Sequence, residues 1–244
     1  MLIRADLHIH TVLSPCAEVE MIPPLIVERA LEQHLDLIAI TDHNASANAQ
    51  VVLDAAHNTG LKVWAGMELQ TREEVHVLCL FDTVRQLRAL QAELELALPN
   101  LPNAPDKLGE QFIVGAAGDF VAREERLLLI SANLTLEQAV REVNALHGIA
   151  IPAHIDRVEN GLIPLLGFVP PGLAVPALEI SANISSRDAR ARFRLPEHLA
   201  VIRGSDAHWL DAIGSAVTEF DLEGTRSVAN VARALREKRY SIQN

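Results

Sequence analysis

The chain has 244 residues, of which 49% are hydrophobic, and its formal net charge is −11. This length fits one α/β barrel, so a single domain over residues 1–244 is expected. The acidic balance disfavours a long nucleic acid as the main partner, because nucleic-acid binding usually leaves a basic footprint. A small phosphorylated substrate needs only a few local cations and remains compatible with this charge.

The two cysteines, Cys16 and Cys79, cannot form the disulfide framework that is typical of small secreted domains. Arg4 and Asp6 interrupt the apolar N-terminal run, which argues against a signal peptide. The sequence contains no stretch of about 18 or more apolar residues, so no transmembrane helix is predicted. We therefore expect a cytoplasmic protein without a membrane partner. The sequence does not indicate its oligomeric state.

Short apolar runs alternate with helix-like segments in chain order. Strands are predicted at Leu2–Ile9, Asp36–Thr41, Lys62–Glu68, Val75–Phe81, Ile149–Ala153, Ala177–Ala182 and Ala200–Gly204. Helices are predicted at Pro23–His34, Ser46–Thr59, Thr83–Leu98, Thr135–His147, Ser186–Phe193 and Thr225–Lys238. This alternation predicts an α/β fold with a mainly parallel sheet, and seven strands predict a closed or nearly closed barrel.

Two stretches depart from the alternation. The segment between Glu68 and Val75 is too short for a helical crossover, so the third and fourth strands should form an antiparallel hairpin. That hairpin would bring His76, at the start of the fourth strand, close to Glu68 at the end of the third. Residues 99–131 are irregular and too long for a plain loop, so we expect them to be an insertion.

Ionisable residues concentrate at one end of the predicted strands. His8 and His10 are two residues apart on the first strand and therefore point to one face, where paired imidazoles usually share a metal ion. Catalytic sites of parallel barrels lie at the carboxyl ends of the strands. Taken singly, a strand-end histidine is more often structural, and Asp42 or Asp206 could cap a helix. Together, so many unpaired polar groups would be costly without a shared ligand.

We therefore predict a metal site at this rim. The ionisable residues expected to converge there are His8, His10, Asp42, His43, Glu68, His76, His154, Asp206 and His208. The remaining histidines lie on or beside predicted helices and are interpreted as ordinary; they are His34, His57, His147 and His198.

The motifs form an ordered set that resembles a known family. They are Asp6-Leu7-His8-Ile9-His10-Thr11, Thr41-Asp42-His43, Glu68, His76, His154 and Asp206-Ala207-His208. As a set they resemble the PHP (polymerase and histidinol phosphatase) domain phosphoesterases, over most of the chain except residues 99–131. The resemblance implies a distorted seven-stranded (β/α)7 TIM-like barrel that holds two or three divalent metal ions.

The resemblance also implies how the ligands divide. His8, His10, Glu68 and Asp206 would hold the first ion. Glu68 would bridge to a second ion that also binds His76 and His154. His43 and His208 would belong to a third.

The third site needs one more ligand, and here the chain departs from the family pattern. Relatives carry a histidine or aspartate a few residues after the His-x-His pair. Counting forward from His10 reaches Cys16, whereas counting back from Pro23 reaches Glu18. Glu18 is favoured because hard divalent ions prefer carboxylate. Cys16 would imply a softer ion such as zinc, and Glu20 remains open.

A mixed histidine and carboxylate set fits Zn, Mn or Fe better than Mg or Ca, and ligand type does not choose among those three. The ions would acidify a bridging water to hydroxide at neutral pH and would clamp the phosphoryl oxygens. The residues expected to carry the reaction are Glu68, Asp206, His208 and Arg157. Asp42 is expected to orient a liganding histidine.

Arg157 is the expected contact for a substrate phosphate. It stands three residues after His154, where the phosphoesterase branch of the family often has His-Pro-x-Arg. Ile155 replaces that proline here. A surface salt bridge with Asp156 or Glu159 is the alternative role.

The sixth predicted strand is the one without an obvious ligand at its end. Asn183, Ser185, Ser186 and Arg187 follow it and are candidates for substrate contact, although Arg187 could simply begin a helix.

We expect a metal-dependent phosphoesterase that hydrolyses a small phosphomonoester, either a nucleotide or another phosphorylated metabolite. Alternatives within the family are a histidinol-phosphate phosphatase and a 5′→3′ exonuclease acting on short oligonucleotides. An alternative of another class is a non-catalytic metal-binding module, which the near-complete ligand set disfavours. The sequence does not name the substrate, because specificity resides in the loops and the insertion.

Overall fold

The computed structural model describes residues 1–242. Its strands are β1 (Leu2–Ile9), β2 (Leu37–Ile40), β3 (Lys62–Gln70), β4 (His76–Phe81), β5 (Phe112–Val114), β6 (Phe120–Arg123), β7 (Ile149–Pro152), β8 (Ala177–Glu179), β9 (Ala200–Ile202), β10 (Thr218–Asp221) and β11 (Tyr240–Ile242). Its α-helices are α1 (Pro23–Glu32), α2 (Ala49–Ala55), α3 (Val84–Ala97), α4 (Pro105–Leu108), α5 (Leu136–Ala145), α6 (Leu162–Leu166), α7 (Ser186–Phe193) and α8 (Val228–Arg236).

A curled mixed sheet forms the centre of the fold. Its strand order is β11-β10-β1-β2-β3-β4-β7. The β1–β2 and β2–β3 pairs are parallel, whereas β3–β4, β4–β7, β1–β10 and β10–β11 are antiparallel. The antiparallel β3–β4 hairpin confirms the expectation drawn from the short connection between these strands.

The seven predicted strands all occur, but a complete seven-stranded (β/α)7 barrel is not confirmed. The sheet is a half-barrel whose seven strands include β10 and β11, which the sequence pattern did not indicate. The β8 and β9 strands form a separate parallel pair. The chain next to this pair is joined to the main sheet by a few backbone hydrogen bonds: Ile155 donates to Glu179 on one side, and on the other His10 donates to Ala207, which donates to His8.

Helices cover the sheet, and their ends follow local sequence signals. Thr135 and Gln138 form the predicted capping box at the start of α5. The second helix, α2, is shorter than predicted. Alternate residues of β1, including Ile3 and Leu7, are fully buried with Phe220 in a continuous core. The sheet is therefore packed tightly enough to hold polar side chains at fixed places along its edge.

The predicted insertion, residues 99–131, contains the short helix α4 and the β5–β6 hairpin. The Phe112 amide donates to the carbonyl of Val12, and the Val114 amide donates to the side chain of Asn48. The insertion therefore lies against the loop that follows β1, which carries the three candidates for the ninth ligand. Among the described residues, no helix is long and apolar enough to cross a membrane.

Candidate metal centre

Four predicted ligands form a compact group at the end of β1. His8 Nε2 lies 3.2 Å and His10 Nε2 lies 3.3 Å from Asp206 Oδ1. The same two nitrogens lie 3.3 Å and 3.4 Å from the oxygens of Glu68. His8, His10 and Glu68 are fully buried. The bulge in the pairing of β1 with β2 begins next to this group, between Asp6 and Ile9.

Glu68 lies at the centre of a second group. Its Oε1 atom is 2.8 Å from His76 Nδ1 and 3.0 Å from His154 Nε2. Its Oε2 atom is 3.0 Å from His43 Nδ1. The hairpin register explains the approach of His76, since this residue pairs with Gln70, two positions after Glu68. One carboxylate therefore faces five imidazoles, which is the arrangement required of a bridging ligand.

A third group joins His10, His43 and His208, whose ring nitrogens lie within 4.8 Å of one another. The His10 and His208 rings stack with centroids 4.1 Å apart. Cys16 is exposed, and although burial of its thiol raises the pKa, the neighbouring His208 and His43 lower that pKa to about 7. The favoured loop candidate, Glu18, is exposed and contributes its backbone N–H to the carbonyl of His208.

Buried polar atoms that lack a hydrogen-bond partner show whether these residues fit a metal ion. Within residues 1–242, His8 Nε2, His10 Nε2, Glu68 Oε2 and Asp206 Oδ1 are buried and have no hydrogen-bond partner. Donor atoms about 2.1 Å from one ion lie about 3.0–3.4 Å from each other, and this matches the separations in the first group. Buried polar atoms without partners are costly, so four at one point indicate a shared cation. The donor set therefore fits a divalent metal ion.

Two buried carboxylates fix the orientation of the first histidines. Glu179 Oε2 accepts a hydrogen bond from His8 Nδ1 at 3.0 Å. Asp42 accepts from the Ser14 hydroxyl, whose oxygen lies 2.9 Å from His10 Nδ1. A carboxylate only accepts, so these contacts leave the Nε2 lone pairs of both histidines directed at the first group. Asp42 thus lies where an orienting residue is expected.

The loop that carries Asp206 and His208 is held by a carboxylate from β1. Asp6 accepts hydrogen bonds from the Ser205 and Gly214 amides, both at 2.9 Å. Asp206 itself has a positive φ of 51°. A non-glycine residue in this conformation is strained, and such strain is common where surrounding contacts fix a functional side chain.

Without a metal ion, the charges around Glu68 favour a protonated His43. Burial raises the pKa of Glu68, but His76, His8 and His43 outweigh it and hold that pKa well below its usual range. Burial lowers the pKa of His43, but Glu68 and Cys16 outweigh it and raise that pKa to about 10. Burial lowers the pKa of His10, and His208 and His43 lower it further. A cation that binds here therefore displaces a proton from the His43 region.

Arg157 lies beside the centre and forms an ion pair with Asp206. Its side chain is 45% exposed, so the guanidinium also faces solvent. With Asn183 and Arg192 it lines a cavity of about 570 Å³. Arg187 is exposed on α7 and is not among the lining residues of that cavity. Of the predicted substrate contacts, the structure thus brings Arg157 and Asn183 together.

Sequence reasoning missed Glu179 and Ser14. Glu179 lies between Leu178 and Ile180 in an apolar run that was interpreted as the interior of a strand, whereas β8 ends at this residue. The available signal was an acidic residue in a buried strand. Ser14 carried no such signal, because its role depends on the folded path of the loop after β1.

The fold and the site together define a class of protein, in which histidine and carboxylate side chains that fit divalent ions gather at the strand ends of a curled α/β sheet. The model of the PHP domain matches residues 6–148, more than half of the chain, and the model of the PHP-associated region matches residues 186–240. The chain belongs to the PHP-domain family.

Solved structures share the fold at low sequence identity. The lesion-specific endonuclease Q of Pyrococcus furiosus superposes with a TM-score of 0.75 at 20% identity, over 99% of this chain and 58% of the endonuclease. A Bifidobacterium adolescentis protein assigned as a metal-dependent phosphoesterase gives a TM-score of 0.54 at 20% identity, over 84% of this chain and 87% of that one. An amidohydrolase from Chromobacterium violaceum gives 0.54 at 22% identity, over 98% and 97%.

Endonuclease Q has also been solved with a 27-mer duplex that carries an abasic lesion at its active site, at 19% identity, with a TM-score of 0.74 and coverage of 97% and 57%. The chain spans less than two thirds of the length of this endonuclease. A comparison with curated proteins found no match.

Proposed function

We propose that the protein hydrolyses a small phosphomonoester, a nucleotide or another phosphorylated metabolite, with two or three divalent ions drawn from Zn, Mn or Fe. The observation that carries this proposal is the clustering of eight imidazole and carboxylate side chains, Glu68 among them, next to Arg157, which pairs with Asp206 and also lines a cavity. The cavity volume lies in the range that accommodates a small molecule. The net charge of −11 also favours a small substrate over a long polyanion.

The roles of the residues follow from their positions. Bound ions would supply an acidic water and would neutralise the phosphoryl oxygens. Glu68 and Asp206 would hold those ions, and Glu179 would keep the His8 ring in place. Arg157 is half-exposed, so it can exchange its contact with Asp206 for two oxygens of a substrate phosphate. Such a contact would orient the ester and stabilise the charge that develops during cleavage.

A second candidate is nuclease action on damaged DNA, favoured by the likeness to endonuclease Q over nearly the whole chain. The cationic segment 186–194 on and after α7 contains four arginines and one aspartate, so a phosphate backbone could contact it. The expectation that no long nucleic acid binds would then be wrong. Histidinol phosphate remains one possible phosphomonoester, and a non-catalytic module would be recognised by binding fewer than two ions.

The deciding experiment measures phosphate release from a panel of phosphorylated metabolites, including nucleotides and histidinol phosphate, with metal content determined on the same preparation. A labelled duplex with an abasic site and a short 5′-phosphorylated oligonucleotide are assayed in parallel. We expect release from a small phosphomonoester and two or more ions per chain. Cleavage of the duplex alone would replace this proposal with the nuclease. Fewer than two ions and no cleavage would indicate the inactive module.

A further inference from the structure

The cavity beside the metal centre is connected to it through Asp206. One oxygen of this carboxylate lies 3.2 Å from His8 Nε2 and 3.3 Å from His10 Nε2, and the other accepts a hydrogen bond from Arg157. Arg157 in turn lines the cavity, whose volume is about 570 Å³. A substrate whose phosphate lies at the first metal group can therefore extend past Arg157 into this cavity.

The walls of the cavity are fixed before any ligand binds. Asp156, next to Arg157, accepts hydrogen bonds from the Ser181 amide at 2.8 Å and from the Ser181 hydroxyl at 2.6 Å. The carbonyl of Ile184, which also lines the cavity, accepts from the Arg203 guanidinium. A preformed site binds with a smaller loss of conformational entropy. The same contacts engage both oxygens of Asp156, the acidic residue among the lining residues, with Ser181.

A second arginine lines the same cavity. The guanidinium carbon of Arg192 lies 5.4 Å from the centre of the Phe193 ring, and both residues are part of the lining. Arg192 is exposed, and within residues 1–242 it forms no hydrogen bond and no ion pair with a carboxylate. An aromatic face holds a guanidinium by cation–π attraction and leaves its N–H groups free to bind an anion.

The other three arginines of segment 186–194 differ from Arg192. Arg190 donates to two backbone carbonyls of the chain after α7. Arg187 and Arg194 are exposed but are not among the lining residues of the cavity. Arg192 is therefore the member of this segment that can reach a ligand held there. In a chain with a net charge of −11, a cation without a carboxylate partner is available to an anionic ligand.

We propose that Arg192 binds a second anionic group of the substrate, so that the protein prefers small phosphomonoesters that also carry a carboxylate or another phosphate. The inference rests on the proposed function, because it defines the substrate class of the same site. Arg157 would contact the phosphate that is cleaved, and Arg192 would contact the second group within the cavity. Histidinol phosphate, whose other charged group is an amine, would not gain this contact.

The first test measures binding of phosphonates, which are not hydrolysed, to the full metal-loaded chain by calorimetry. Phosphonocarboxylates and alkylene bisphosphonates of increasing chain length are each paired with the alkylphosphonate of the same length. In the native protein, a doubly anionic ligand should bind about tenfold more tightly than its partner, which is about 1.4 kcal/mol. The ligand series that shows this preference identifies the second group as carboxylate or phosphate.

Variants assign the preference to one residue. Arg192→Ala should abolish it, and Arg192→Lys should keep part of it, because lysine retains the charge without the planar fork. Arg88→Ala is the matched control, since it removes an exposed arginine on α3 far from the lining residues and should keep the full preference. Equal binding of every pair by the native protein, or a preference that persists in Arg192→Ala, would overturn the inference.

Kinetics supply a second readout with a matched pair such as phosphoglycolate and ethyl phosphate. Arg192→Ala should lower kcat/KM about tenfold for the doubly charged ester and less than about twofold for its partner, whereas Arg157→Ala should lower both. A preference that appears only with an oligonucleotide would assign the second phosphate to nucleic acid and overturn the proposal. Failure of the proposed function shows separately, as no phosphate release from any phosphomonoester, and the phosphonate titrations still decide the role of Arg192.

Discussion

The ligands on strands and the ligands on loops of this centre are held in different ways. His8 and Glu68 lie within β1 and β3, are fully buried, and inherit their positions from the sheet. Asp206 and His208 lie on a loop, and their side chains remain 20% and 17% exposed. The difference indicates a division of labour. The strand residues are fixed by the packed sheet, whereas the loop residues lie where solvent and Arg157 reach them.

The largest expected effect comes from substituting Glu68, a predicted ligand on a strand. Glu68→Gln removes a charge that faces both metal groups, so metal content should fall and phosphate release should drop by several orders of magnitude. Metal analysis and kcat/KM on one preparation measure both. Glu93→Gln, on the exposed face of α3, is the control and should change neither. A loss below about tenfold, or about 1.4 kcal/mol, would remove Glu68 from the bridge.

Variants of Glu179 test whether the fixed position of the strand ligand His8 depends on its hydrogen bond to Glu179. Glu179→Ala should weaken metal affinity about 10- to 100-fold, because His8 loses the acceptor that fixes its ring. Glu179→Gln keeps an acceptor oxygen and should recover part of the affinity. Titration with a chelator-buffered metal measures the change. If Glu179→Ala lowers the Tm of the metal-free protein while metal affinity is unchanged, the residue only supports the fold.

On the loop side, Arg157→Ala should lower kcat/KM for a phosphomonoester by about tenfold or more and leave metal content normal. A charge-assisted hydrogen bond contributes about 1.5–3 kcal/mol. Arg157→Lys should recover part of the rate, because lysine cannot reproduce the two-pronged contact. Arg141→Ala, which breaks an exposed pair with Glu142, is the control. Normal kinetics with reduced stability would make the ion pair with Asp206 purely structural.

The smallest effect concerns pH. The pKa of His43 is raised from 6.5 to about 10 in the folded metal-free protein, so its stabilising charge is fully present below pH 6.5 and is lost as pH rises toward 10. The Tm of the chelated protein should fall over this range. The affinity for metal should instead rise with pH over this range, since the ligands must be deprotonated to bind the ion. If the Tm of the chelator-treated His43→Gln protein falls with pH as much as that of the native protein, His43 is not the cause.

The contrast between strands and loops also explains what the sequence could predict. His8 and His10 were recognisable because the alternation of a strand fixes their common face, and Glu68 with His76 followed from a connection too short for a helix. The place of Cys16 could not be read in this way. Counting residues reached both Cys16 and Glu18, and Glu18 was favoured only because hard ions prefer carboxylate, whereas the path of this loop depends on contacts of Ser14 and Pro15 with distant segments.

The fold shows the same limit. Strands β10 and β11 are short and contain few apolar residues, and β11 lies at the edge of the sheet, so pattern alone did not reveal them. The pairing of β10 with β1 is nonlocal and depends on register between distant parts of the chain, and β11 pairs only with β10. The complete seven-stranded barrel is not confirmed for a related reason, because the number of strands alone does not determine which sheet edges are joined by a full ladder of hydrogen bonds.

The hydrogen bonds of Asp6 have a consequence for the order of folding. They join residues separated by 199 and 208 positions, and β1 also pairs with β10 near the end of the chain. Contacts of such high sequence separation form slowly, because the long intervening segment must first be ordered. During synthesis, a chain that ends before Asp206 would already carry most of the histidines but could not close the centre. Metal capture should therefore be a late event that reports a completed molecule.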